Sequence, residues 1–252
     1  MPSRRTWRSK GVCHSLDLNH DLDNLYSFGL KDHVDEFPPL ITALSYPDGL
    51  LAAGGDLEPK TLLTAYSRGI FPWFEEGQPI LWWSPNPRLV LYLDKFKKSR
   101  SLSKTLRKNV FNISFDTAFS EVMRSCSLPR IGKSQSSWIT GEMMDAYEKL
   151  HHQGHAHSIE CWREGKLVGG LYGVSIGGVF FGESMFSLVT DASKVALATL
   201  CSIGKSWGYL LIDCQVESPH LLSLGAEEMA RSTFSEKLKI FTKKNITDIA
   251  WQ

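Results

Sequence analysis

Leu210-Leu211-Ile212-Asp213-Cys214-Gln215-Val216 constrains this chain more than any other stretch, because an apolar run of strand length carries a carboxylate and an amide in its middle. Side chains alternate faces along a strand, so Ile212, Cys214 and Val216 point one way while Leu211, Asp213 and Gln215 point the other. A carboxylate facing a core is costly unless it is paired or opens onto a polar cleft, and nothing else in the run can neutralise Asp213. A satisfied structural Asp and a reactive one both meet that condition.

What surrounds this strand falls into three parts. Residues 1–36 open with Arg4, Arg5, Arg8 and Lys10 and continue without a clear period, which reads as a loosely ordered extension. Residues 37–87 read as a small aromatic-rich domain: Pro59 fits the first turn of a helix, Leu62, Leu63 and Tyr66 share its apolar face, and Gly69 is its stop. Phe71, Trp73, Phe74, Trp82 and Trp83 follow, rings that either close a small core or stack on a base. Pro85-Asn86-Pro87 breaks regular structure and is the best domain boundary, so residues 88–252 form the second domain.

That second domain enters through a strand at Leu89–Leu93 and meets a basic run, Lys95, Lys97, Lys98, Arg100, Lys104, Arg107 and Lys108, with no acid among them. Such a run is either a solvated face or a surface for phosphates. Local charge matters here because 28 Lys and Arg against 27 Asp and Glu leave the whole chain at only +1. A helix carrying Met143, Met144, Tyr147 and Leu150 ends at Gly154, which separates His151 and His152 from His155 and His157 and argues against a zinc site. Strands at Ser158–Trp162, Leu167–Val174 and Val179–Phe186 form an antiparallel meander, followed by a helix over Ala192–Trp207, the Asp213 strand and a helical piece at Pro219–Leu224. That order is the one found in N-acyltransferases, an analogy at the level of fold.

At Gly182-Glu183-Ser184-Met185-Phe186 the final position of a nucleophile elbow is occupied by Phe186, and no Gly-rich loop cradles a pyrophosphate. Cys214 with His220 could form an acyl-thioester pair, but Cys214 points away from Asp213 and Gln215, and a lone buried Cys is more often packing. Five cysteines without a Cys-x-x-Cys pair, no secretory apolar region and no bilayer-length run lead us to expect a reducing, cytoplasmic home without a membrane.

Taken in order, the motifs resemble those of the leucyl/phenylalanyl-tRNA-protein transferases. They are Gly54-Gly55-Asp56-Leu57, Arg68-Gly69-Ile70-Phe71-Pro72-Trp73-Phe74, Trp82-Trp83-Ser84-Pro85-x-Pro87-Arg88, Trp138-Ile139-Thr140 and Gly154-His155-Ala156-His157-Ser158-Ile159-Glu160. Leu167-Val168-Gly169-Gly170, Gly182-Glu183-Ser184-Met185-Phe186-Ser187, Ala192-Ser193-Lys194, Ile212-Asp213-Cys214-Gln215 and Ser223-Leu224-Gly225-Ala226 complete the set. Asp191 stands where the family pattern usually has Asn, and the Ile131 to Ser136 loop is stretched.

The resemblance implies an α+β fold, with a smaller N-terminal α/β domain and a C-terminal GNAT-like (N-acyltransferase-like) domain on a mainly antiparallel sheet. It implies transfer of Leu or Phe, and less readily Met, from aminoacyl-tRNA to proteins with N-terminal Arg or Lys, marking them for N-terminal-residue-dependent degradation. Asp213, Gln215 and Glu183 would be catalytic, with Asp213 holding the incoming amine. Trp73 and Trp138 would lie at the 3′ adenosine, and Phe180, Met185 and Leu197 would border the pocket for the apolar amino acid. Arg88 and the basic run would contact tRNA. An aminoacyl ester is already activated and an α-amino group has a pKa of about 7.7 to 8.0, so neither cofactor nor metal is expected, and a monomer suffices. The competing readings are a non-catalytic RNA-binding module and a small-molecule N-acetyltransferase.

Overall fold

The computed structural model describes residues 25–30, 34, 36–128, 137–247 and 249–252. Two sheets organise it. The first is built from β1 (Tyr26–Leu30), β2 (Leu50–Gly55), β3 (Phe71–Pro72) and β4 (Leu81–Trp83), with α1 (Pro59–Ser67) between β2 and β3; its strand order is β1-β2-β4-β3. The second takes β5 (Arg88–Tyr92), β6 (Asn112–Phe115), β7 (Ala156–Arg163), β8 (Lys166–Ile176), β9 (Val179–Ser187), β10 (Leu211–Gln215) and β11 (Glu227–Met229), in the order β11-β5-β10-β9-β8-β7-β6. Its helices are α2 (Arg100–Lys108), α3 (Phe119–Ser127), α4 (Gly141–His152), α5 (Ala192–Trp207), α6 (Pro219–Ser223) and α7 (Arg231–Phe241). Every pairing in the second sheet is antiparallel except β9 with β10, which is parallel. The α+β class and mainly antiparallel sheet read from sequence are thus observed.

The local chemistry explains most boundaries. Pro59 starts α1 where its missing N–H is harmless, and Gly69 with φ +80° follows its end. Ser99 caps α2 by accepting from Leu102 N at 3.1 Å, and Thr140 caps α4 by accepting from Met143 N at 3.3 Å. Gly208 with φ +102° closes α5.

Two apolar layers sandwich the second sheet. One holds Val90, Tyr172, Val174, Phe181 and Leu211 with α3, α4 and α7, and runs without a break into the first sheet's Leu50, Tyr66, Phe71 and Trp82. The other holds Leu89, Leu91, Phe180, Met185, Ile212 and Cys214 with α5. Trp82 and Trp83 are buried and donate through their indoles to Gly54 O at 2.9 Å and Trp73 O at 2.7 Å, so most of the aromatic cluster closes the core rather than facing a ligand.

The expectation of a loosely ordered extension over residues 1–36 fails for its last part. Tyr26–Leu30 is a strand paired in parallel with β2, and Val34 is buried in the core. In Tyr26-Ser27-Phe28-Gly29-Leu30 every second residue is apolar, and Phe28 packs edge-on against Phe37. Residues 1–24, like the stretched 131–136 loop, lie outside the described residues.

Candidate active site

The site forms where two neighbouring strands both lose their regular register. On β9, Tyr172 pairs with Ser184 while Gly173 pairs with Gly182, which leaves Glu183 as the extra residue of a bulge. A Cβ on Gly173 would stand 2.2 Å from Phe181 O, so only glycine lets the strands close at that point. On β10 the register shifts between Asp213 and Gln215, and Gln215 adopts a left-handed φ of +64°. Parallel pairing of the two strands ends at Asp213 with Phe181. Beyond that point the Gln215 amide donates to Glu183 Oε1 at 2.8 Å, so side chains bridge where the backbones stop.

The bulge corrects the plain alternation expected for Leu210–Val216. Ile212 and Cys214 do share a face, but Val216 packs against the opposite layer, with Leu211. Asp213 and Gln215 still come together, through a 2.9 Å bond from Gln215 N to Asp213 Oδ1.

Asp213 is fully buried, and its partner comes from β5. Arg88 donates through Nε to Oδ1 at 2.8 Å and through Nη2 to Oδ2 at 2.6 Å, a two-pronged pair at 1 % and 0 % exposure. The guanidinium also lies over the rings of Phe71 and Phe234, 4.7 and 5.0 Å from their centroids. Two expectations change accordingly. Arg88 cannot be a surface contact for tRNA, because it lies inside the protein neutralising Asp213. Asp213, expected to hold the amine, is instead buried against Arg88 and the Gln215 backbone.

Glu183 has a different environment. Tyr66 from α1 donates to Oε1 at 2.7 Å, Tyr147 from α4 donates to Oε2 at 3.2 Å, and the two hydroxyls touch each other. Burial pushes its carboxyl up to about 7, opposed by the donors Tyr66, Tyr147 and Gln215 and reinforced by the charge of Asp213. The two tyrosines are raised well above the usual phenol range, first by burial and then by Glu183. The sequence reading did not place Tyr66 and Tyr147 in the site. Each sits on the apolar face of a helix, and nothing local distinguishes a core tyrosine from one that reaches a carboxylate.

Of the remaining expected residues, Phe180, Met185 and Leu197 are buried together in the α5 layer, across the sheet from the tyrosines. Trp73 and Trp138 are half-buried against the other layer. Lys97, Lys98, Arg100, Lys104, Arg107 and Lys108 are exposed on and before α2, whereas Lys95 reaches Glu227 at 2.7 Å, so one charge of the basic run is compensated from β11. Burial, and then Asp213, push the Cys214 thiol well above its usual range, and its sulfur lies 3.9 Å from Ile212 O. A thiolate nucleophile is therefore disfavoured there. Asp191 accepts from Thr105 at 3.0 Å and from Lys194 at 2.8 Å, tying α5 to α2. His157 bonds Asp116 at 2.6 Å and His151 bonds Ala156 O at 2.8 Å, and the described residues contain no His, Cys, Asp and Glu group able to hold a metal. None of the described helices is long and apolar enough to cross a membrane.

Residues 90–239 match the family model for leucyl/phenylalanyl-tRNA protein transferase, and residues 55–86 match the model for the N-terminal domain of the same family. A leucyl/phenylalanyl-tRNA-protein transferase of Nitrosomonas europaea is 58% identical over 202 residues, 80% of this chain and 85% of that protein. One of Hydrogenovibrio crunogenus is 53% identical over 215 residues, 85% of this chain and 84% of the relative. Among solved structures, L-PGS from Bacillus licheniformis aligns with a TM-score of 0.37 at 15% identity, over 75% of this chain and 65% of that one. A GCN5-related N-acetyltransferase from Kribbella flavida aligns with a TM-score of 0.32 at 11% identity, over 68% and 61%.

Proposed function

The chain belongs to the leucyl/phenylalanyl-tRNA protein transferase family, and we propose that Glu183 meets the incoming amine and Gln215 the ester carbonyl while Arg88 and Asp213 hold them in place. The reaction moves a leucyl or phenylalanyl group from its tRNA ester to the α-amino group of a protein. Membership of the family makes proteins with N-terminal Arg or Lys the acceptors, and degradation set by the new N-terminal residue the outcome. Because the ester is activated already, the enzyme's task is to align two reactants and manage one developing oxyanion and one proton.

The observation that carries this reading is the Gln215–Glu183 bond at 2.8 Å, made where β9 and β10 cease to pair. Where the parallel strands part, the two faces of the sheet are bridged by side chains instead of backbone. On this reading the acceptor amine meets Glu183, on the tyrosine side of the sheet, and the apolar aminoacyl side chain lies towards Phe180, Met185 and Leu197 on the other. Met185 suits a pocket that takes more than one apolar shape. Trp73 and Trp138, half-buried and aromatic, are assigned on this reading to stacking on the terminal adenosine. The Gln215 amide does not titrate, so it can donate to the carbonyl oxygen as the tetrahedral centre forms. Asp213 acts at one remove: its bond to Gln215 N fixes the left-handed turn that aims the amide.

The test is single-turnover transfer of label from saturating Phe-tRNA to an Arg-starting protein, without acetyl-CoA. Gln215→Ala should slow transfer by about a hundredfold while leaving the circular dichroism spectrum intact. Cys214→Ala, on the other face, should transfer at nearly the wild-type rate. A folded but dead Cys214→Ala would point to a thioester, and full activity in Gln215→Ala would remove that residue from the site. Binding of Phe-tRNA without transfer would return the chain to the RNA-binding reading.

A further inference from the structure

The Glu183 cluster contains three oxygen-to-oxygen contacts among three groups: Tyr66 with Glu183 Oε1, Tyr147 with Glu183 Oε2, and Tyr66 with Tyr147. Each tyrosine brings one hydroxyl proton, and an ionised carboxylate brings none. Two protons then serve three contacts, so one contact, either between the two hydroxyls or between a hydroxyl and the carboxylate, goes without a proton. A protonated Glu183 supplies the third. Its Oε2 donates to Tyr147, Tyr147 donates to Tyr66, and Tyr66 donates back to Oε1, which also accepts from Gln215. All four side chains are buried, where an unmade hydrogen bond is costly.

We propose that Glu183, Tyr147 and Tyr66 form a hydrogen-bonded ring that is complete only when it holds one proton, and that this ring accepts the proton lost by the incoming α-ammonium group. The proposal rests on the transferase reading above. Before transfer, the chain from Tyr147 through Tyr66 to Oε1 leaves Oε2 as the bare acceptor. An N–H bond of the ammonium breaks, its proton bonds to Oε2, and the ring closes. The freed lone pair attacks the ester carbonyl. As the tetrahedral centre collapses, the ester C–O bond breaks and the leaving ribose oxygen takes a second proton from nitrogen. The ring then returns its own proton to solvent, the one proton released overall.

The groups facing Glu183 fit this role. Asp213 on β10 opposes a second negative charge, and its cation, Arg88, is already engaged. Tyr172 on β8 feels the Glu183 charge and, like Cys126 on α3, is held protonated by burial. Tyr66, Tyr147 and Gln215 favour the carboxylate, burial and Asp213 favour the acid, and the balance falls at about 7. The tyrosines are positioning residues that set this balance.

Infrared difference spectroscopy on the full-length protein without substrates tests the ring, with Glu183→Gln to assign the protonated carboxyl band. In the wild type the band should fade as pH rises through about 7. In Tyr66→Phe the ionised form loses a charge-assisted donor, so the band should persist to a pH about one unit higher. Transfer at about pH 6.5 should drop roughly tenfold in that variant and recover above about pH 9, since one unit is a factor of ten in protonation. Tyr147→Phe serves as the second variant if Tyr66→Phe does not fold. An unmoved titration with a loss of transfer equal at every pH would leave the tyrosines merely structural and overturn the proposal, as would a Glu183 band that never forms. A protein that titrates as expected yet transfers no label sinks the transferase reading and leaves the proton-holding ring standing.

Discussion

Asp213 and Glu183 are both buried, yet the protein treats them in opposite ways. Asp213 faces a two-pronged guanidinium, while Glu183 faces two hydroxyls and an amide, all of them uncharged. A buried anion with a fixed cation is a permanent charge pair, well suited to holding a backbone in an uncommon conformation. A buried carboxyl with neutral donors keeps its proton within reach of neutral pH, which suits a group that must take up and release one. Under the proposed mechanism the two ends of the site divide the work, and Gln215 joins them, its backbone tied to Asp213 and its amide to Glu183.

The comparison breaks most visibly if the cation is removed. Arg88→Met leaves Asp213 buried and unpaired, and urea denaturation should show a loss of about 3 to 5 kcal/mol. Arg88→Met with Asp213→Leu, which removes both charges, should recover most of that stability while transfer remains low, since Gln215 N loses its acceptor. If the double variant transfers normally, the pair matters only for folding.

Glu183 should behave in the reverse sense. Its folded carboxyl sits at about 7 against an ordinary value of 4.5, so the folded state holds its proton more tightly than the unfolded chain does. The stability this contributes is fully present below about pH 4.5 and is lost as pH rises through about 7. Glu183→Gln, whose amide can complete the ring in place of the protonated acid, should be more stable than the wild type at about pH 8, by up to roughly 3 kcal/mol. The difference should vanish at about pH 4.5. Thermal denaturation across that range checks it, and a variant that is less stable at every pH would place Glu183 among ordinary charged partners.

Much of this was legible in the chain itself. The α5 helix, the β7–β8–β9 meander and the strand carrying Asp213 follow from periodicity and turn residues, since one face of each is buried and the pattern records it. The presence of Asp213, Gln215 and Glu183 in one place followed from the family's motifs, but their roles did not. Arg88 looked like the first residue of a basic surface because sequence carries no sign of the 125 positions that separate it from its partner. Bulges were invisible for a related reason: the register shift that takes Glu183 out of the ladder depends on a glycine in the neighbouring strand, Gly173, not on anything in Gly182-Glu183-Ser184. Tyr66 and Tyr147 lie 81 positions apart on separate helices, each read correctly as apolar-face residues and each silent about its hydroxyl.

The contrast between Asp213 and Glu183 depends on burial, and Lys95 with Glu227 supplies the exposed control. This pair is nearly as close, 2.7 Å against 2.6 Å for Arg88 and Asp213, but lies open to solvent and counterions, so it contributes little to folding. Lys95→Ala should leave the denaturation midpoint unchanged within error. It should also leave the salt dependence of tRNA binding close to wild type, because Glu227 already compensates that ammonium. Lys97→Glu, Lys98→Glu and Arg100→Glu together reverse three exposed charges, and they should flatten the slope of log affinity against log salt. Each lost phosphate contact takes about 0.7 to 0.9 from that slope. Filter binding of Phe-tRNA at several salt concentrations gives both values from one series. If Lys95→Ala flattens the slope as much as the triple variant does, its ammonium leaves Glu227 for the phosphate when tRNA docks, and an exposed pair is then as exchangeable as the Arg88–Asp213 pair is fixed.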